Sequence, residues 1–116
     1  MSRDIEALQE KLREFASARD WSQFHSPRNL AASLSIEAAE VLEHFQWLTD
    51  EQSRQISDEK RAAVSTELAD VFLYLVQLAD SLQVDLLAAS TAKIEENGRK
   101  YPVDRSRGVT TKYTDL

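Results

Sequence analysis

The 116-residue chain contains no cysteine, which excludes disulfide scaffolding, thiolate zinc sites and cysteine nucleophiles together. It has only two glycines and two prolines. Folds built from hairpins need turn residues at short intervals, so this shortage favours a few long helices. Long hydrophobic runs are missing too. The most apolar stretch, Leu68 to Ala79, contains Asp70 and is shorter than the roughly 20 apolar residues of a membrane-spanning helix. The charged opening residues Arg3, Asp4 and Glu6 do not read as a secretory leader, and a soluble, cytoplasmic protein with no membrane partner is expected. Positive charge is scarce as well: 14 Lys and Arg stand against 20 Asp and Glu, a net charge of −6. Without a basic stripe to displace counterions, nucleic acid is not an expected partner. Small anionic ligands stay possible if metal ions lie between them and the protein's acids.

The length suits one hydrophobic core, and a single domain over 1–116 is expected. Ile5, Leu8, Leu12 and Phe15 recur at helical spacing and predict a first helix from about Arg3 to Ala18. Arg19 to Pro27 breaks the pattern, with Ser26 placed to cap a second helix and Pro27 in its first turn. That helix is expected from about Arg28 to Trp47, burying Leu30, Leu34, Val41, Leu42 and Phe45. Thr49 to Ser57 reads as a polar connection with room for a short helical turn. Ser57 caps a third helix reaching about Leu82, apolar nearly all round between Leu68 and Ala79. A helix of that kind is buried on several sides, which in so small a chain calls for a second subunit. Asp85 caps a fourth helix, Leu86 to Lys100, with Gly98 and Pro102 marking its end, and residues 103–116 read as an extended tail. The expected fold is an all-α bundle of four to five helices.

Two acid pairs stand out. Glu37 and Glu40 share a face of the second helix, and Glu67 and Asp70 repeat the spacing on the third. By spacing alone such pairs are ordinary solvated faces in a chain this acidic. Their placement is not ordinary: Glu37 lies between Leu34 and Val41 in the apolar stripe, and Glu67 between Val64 and Val71. Ionised carboxylates are buried only when paired, protonated or bound to metal, and basic partners are few on both helices. Four acids facing each other across a helix pair would be relieved by hard divalent cations, and all-oxygen ligation favours Mg²⁺ or Mn²⁺ over Zn²⁺. Glu43 continues the run as an outlying candidate. A carboxylate-bridged di-iron site would require Glu-x-x-His pairs, but Val41 and Ser22 stand three before the two histidines, His44 and His25.

Trp21, Phe24 and His25 cluster in the first loop, and Trp47 ends the second helix. Aromatics of this kind either seal a core or stack on a nucleobase. Lys93, Asn97 and Lys100 fall at i, i+4 and i+7, with Arg99 and Tyr101 close by. This polar edge suits phosphate oxygens, or simply a cationic helix end.

The stretches EAAE (Glu37 to Glu40) and ELAD (Glu67 to Asp70) match the ExxE…ExxD motif of the all-α, MazG-like nucleoside triphosphate pyrophosphohydrolases. RDWSQFHSPRNL (Arg19 to Leu30), FQW (Phe45 to Trp47), ELADVFLYLV (Glu67 to Val76) and the tail KYTDL (Lys112 to Leu116) resemble the dCTP pyrophosphatase branch of that family. The resemblance implies that Glu37, Glu40, Glu67 and Asp70 ligate Mg²⁺. It places Trp21 to His25 and Trp47 around base and sugar with Tyr74 beside them, and Lys93 and Asn97 near the phosphates. It also implies a homodimer or homotetramer. One departure is Leu12, where a family member carries a histidine near the substrate; this leaves the base open.

The reaction so implied is attack of a metal-activated water on the α-phosphorus, yielding nucleoside monophosphate and pyrophosphate, with Glu40 orienting or deprotonating the water. There is no P-loop motif, so phosphates would be held by metal and lysine. A related enzyme acting on dUTP or on a broad set of damaged triphosphates is one alternative. A non-catalytic helical dimer serving as an interaction module is another.

Overall fold

The computed structural model describes residues 3–116, and among these every regular element is helical. Six α-helices follow in order: α1 (Arg3–Ala18), α2 (Pro27–Glu43), α3 (Asp50–Ser53), α4 (Asp58–Ser81), α5 (Leu86–Lys100) and α6 (Val103–Ser106). Two 3₁₀ turns, Ser22–Phe24 and Tyr113–Asp115, complete the set. The chain divides into two compact units, one ending at Val84 and the other Asp85–Leu116.

Local chemistry sets the helix starts. Ser26 accepts from the Asn29 amide at 3.2 Å ahead of Pro27. Thr49 and Gln52 form a reciprocal capping box on α3. Ser57 accepts from Lys60 at 3.1 Å, and Asp85 from Ala88 at 3.1 Å. Each such cap contributes about 1 kcal/mol.

The helix ends show how a glycine-poor chain stops its helices. Asp20 and Gln83 adopt φ of 55° and 56°. Trp21 N–H then reaches the Ala16 carbonyl and Val84 N–H the Ala79 carbonyl, both at 2.9 Å. These are Schellman closures with Asp20 and Gln83 in the left-handed role usually given to glycine. Gly98, expected to mark the end of α5, instead lies inside it.

α2 stops at Glu43, short of the expected Trp47. The His44 and Phe45 amides bond back three residues, to Val41 and Leu42, tightening the last turn until the helix closes. The tail is not uniformly extended either. Ser106 N–H bonds to Pro102 O and Arg107 N–H to Val103 O, making a single turn too short to show a periodic stripe. Tyr101 meets Tyr113 edge to face at 6.0 Å, and the Lys100 ammonium lies 4.6 Å from the Tyr113 ring centre.

In the larger unit α2 packs on α4, and α1 also lies against α4. Leu30, Val64, Val76 and Ala79 are buried, as is Ala16 of α1. By length and composition α4 could cross a membrane; it carries Glu67 and Asp70 mid-helix and packs on α1 and α2. Phe15, Leu42 and Gln9 depart from the expected stripes. Leu42 is 59% exposed, whereas Gln9, a polar residue outside the α1 stripe, is only 3% exposed. Phe15, Ile36, Leu68 and Phe72 are also exposed in the single chain.

Candidate active site

The α2–α4 pairing brings the two acid pairs together. Carboxylate oxygens of Glu37, Glu67 and Asp70 all lie within 4.8 Å of one another. The three side chains and Glu40 are half-buried. A hydrogen bond shared with Glu40, then burial, then the charges of Glu40, Asp70 and Glu67 push Glu37 up to about 6. Glu67 is raised by its own hydrogen bond with Glu40, by burial and by the charges of Glu40 and Asp70, with His44 opposing. Glu40 is thus close enough to both other glutamates to raise them. One oxygen each of Glu37 and Glu67 is buried with no hydrogen-bond partner. Orphaned buried carboxylate oxygens are costly unless something positive meets them. An all-oxygen donor set of this kind suits a hard divalent cation.

His44 was not singled out from the sequence, although it lies four residues after Glu40 and seven after Glu37. That helical spacing was the signal available. It is half-buried and close enough to Glu67 for its charge to matter. Glu43 points to solvent instead.

Beside the acids is a cavity of about 400 Å³ whose walls include Trp21, His25, Asp70, Leu73 and Tyr74. Asp70 thus belongs to both the acid cluster and the cavity. Trp21 is held there by the α1 closure and by an edge-to-face contact with Phe15 at 5.8 Å between ring centres. A second cavity of about 350 Å³ shares Leu12, Ala16, His25 and Gln77 with the first and extends to Gln9, Arg13 and Asp80.

Residues 32–116 match the MazG-like family. The chain belongs to the MazG-like family. It is 50% identical to dCTP pyrophosphatase 1 of Bos taurus over 105 residues, covering 89% of this chain and 62% of that protein. With dCTP pyrophosphatase 1 of Homo sapiens the identity is 47% over the same coverage. The chain therefore spans under two thirds of the length of these relatives. A pyrophosphatase from Archaeoglobus fulgidus superposes with a TM-score of 0.81 at 40% identity, covering 88% of this chain and 95% of that one.

Two expected residues of this MazG-like chain are absent from the cavity wall. Phe24 and Trp47 are 58% and 87% exposed and do not line it. Lys93, Asn97 and Lys100 fall in the unit Asp85–Leu116. There Glu96 takes both lysines, Lys93 at 3.4 Å and Lys100 at 2.9 Å.

Proposed function

We propose that this chain is a divalent-metal-dependent pyrophosphohydrolase that cleaves a nucleoside triphosphate, dCTP or a modified dCTP, to monophosphate and pyrophosphate. The observation that carries the reading is the convergence of Glu37, Glu67 and Asp70 within 4.8 Å, with Asp70 also lining an aromatic cavity. The name of its mammalian relatives, dCTP pyrophosphatase 1, supports the choice of substrate.

Glu37, Glu40, Glu67 and Asp70 would hold Mg²⁺ or Mn²⁺, since two of them present orphaned oxygens and all four offer only oxygen. The bound cation would supply charge neutralisation on the phosphoryl oxygens and a lowered pKa for water. Glu40, close to both Glu37 and Glu67, would accept the proton of a water attacking the α-phosphorus. Trp21, His25 and Tyr74 enclose the base and sugar, and Asp70 links that enclosure to the acids. Phe24 and Trp47 keep a proposed part in base binding, and Lys93, Asn97 and Lys100 in phosphate binding, on their residue types and spacing. The exposed Ile36, Leu42, Leu68 and Phe72 support a homodimer or homotetramer in which a second copy covers them. A net charge of −6 supports a soluble cytoplasmic enzyme with no nucleic-acid partner.

The test is incubation with each (d)NTP and Mg²⁺, followed by product analysis. Monophosphate and pyrophosphate are expected, with activity lost in Glu67→Ala and Asp70→Ala. Release of single phosphate with a diphosphate, or full activity in either variant, refutes the proposal.

A further inference from the structure

Gln9 is the one polar residue, among those described, whose side chain is buried to the level of the core. It is 3% exposed, and its Nε2 has no hydrogen-bond partner. A buried amide left unpaired costs about 1–3 kcal/mol, and an apolar residue at this position would avoid that cost. Its surroundings narrow the reason for its presence. Gln9, Arg13 and Ala16 fall at i, i+4 and i+7 on one face of α1, and all three line the 350 Å³ cavity. Arg13 is already spent: its Nε and Nη2 each donate to Asp80 of α4 at 2.8 Å. That fork ties α1 to α4 beside the cavity and leaves Gln9 as a polar group with unmet demand.

The cavity is not isolated. Leu12, Ala16, His25 and Gln77 wall both it and the larger cavity that contains Trp21, Tyr74 and Asp70. Both volumes fall in the range of about 300–1,000 Å³ usual for small-molecule sites. A ligand lying against Trp21 and Tyr74 shares the wall of Leu12, Ala16, His25 and Gln77 with the cavity that Gln9 lines.

We infer that Gln9 is a specificity-determining residue, its carboxamide hydrogen-bonding the polar edge of the nucleobase held between Trp21 and Tyr74. The inference rests on the proposed hydrolysis. A carboxamide offers a donor and an acceptor side by side, which complements the exocyclic group and adjacent ring nitrogen of a pyrimidine. Leu12 lies one turn further along α1 and contributes apolar wall, so Gln9 supplies base recognition from this helix. A site built to hydrogen-bond a substrate group discriminates against an analogue lacking it.

The experiment compares dCTP with its analogue lacking the 4-amino group, using the full chain and Mg²⁺. Wild type should favour dCTP by about tenfold or more in kcat/KM, with most of the difference in KM. Gln9→Leu, similar in volume, should treat the two within about twofold, with the KM for dCTP raised. Its Tm should equal or exceed that of wild type, because an unpaired buried amide has been removed. Gln9→Glu, which when ionised still accepts from the 4-amino group but cannot donate to the ring nitrogen, should keep the preference and raise KM for both substrates. If Gln9→Leu keeps the wild-type discrimination, or loses kcat and KM together with a lowered Tm, Gln9 is structural and the inference fails while hydrolysis stands. If wild type hydrolyses no triphosphate to pyrophosphate, the functional reading and the inference fall together.

Discussion

Truncating Leu30 to alanine tests whether the cavity beside α1 is open in the way the structure describes. Leu30 lies in the first turn of α2, is 2% exposed, and forms part of the cavity wall with Gln9 and His25. The substitution removes three buried carbons, each worth about 0.8 kcal/mol in transfer from water, or about 2.5 kcal/mol together. In a closed core a void term raises the cost of such a change toward about 5 kcal/mol. Here the vacated space merges with an existing cavity of about 350 Å³, so the void term is small and the loss stays near the transfer value. Urea unfolding followed by far-ultraviolet circular dichroism, at fixed protomer concentration, should show that loss with an unchanged m-value. The corresponding fall in Tm is roughly 10–15 °C for a chain of this size. A loss below about 1 kcal/mol would mean that Leu30 is not core. One above about 4 kcal/mol would mean that the space is closed and dry, and the reasoning that joins it to the aromatic cavity would be refuted.

Two further outcomes follow from the acids and the exposed apolar face. Glu37 moves from 4.5 in the unfolded chain to about 6 in the folded one, so the folded state holds the proton more tightly. In EDTA its contribution to stability is complete below about pH 4.5 and is lost as pH rises through about 6. With Mn²⁺ or Mg²⁺ the carboxylates must be deprotonated, so the cation-induced rise in Tm should grow over the same window. Thermal denaturation against pH checks both, and a Tm in EDTA that climbs between pH 4.5 and 6 would contradict the assignment to Glu37. Leu42→Arg, at a position 59% exposed in the single chain, should leave the monomer folded by circular dichroism but lower the assembled mass by light scattering. An unchanged mass would place the interface elsewhere.

Much of this protein was legible because its signals are local. Ser26, Ser57 and Asp85 act on amides three residues away, so the starts of α2, α4 and α5 were readable without any tertiary information. Helix ends were less legible. Asp20 and Gln83 take a backbone role normally given to glycine, and Gly98 invited a stop that the chain ignores. Periodicity placed Leu42 in the core because it registers apolar character without knowing which chain will cover it. Gln9 was overlooked for the converse reason, since polarity reads as surface until packing says otherwise.

The sequence by itself determined the helical class, the starts of the long helices and the two E-x-x-[ED] pairs, because caps and periodicity work within one or two turns. The tertiary structure alone decided that Glu37, Glu67 and Asp70 converge within 4.8 Å, that Glu40 and His44 stand beside them, and that Asp70 also lines the aromatic cavity. It alone buried Gln9 in the wall of the cavity that Arg13 and Asp80 also line. Those facts depend on how α1, α2 and α4 rotate against one another, and that rotation is set by side-chain packing between segments far apart in the chain.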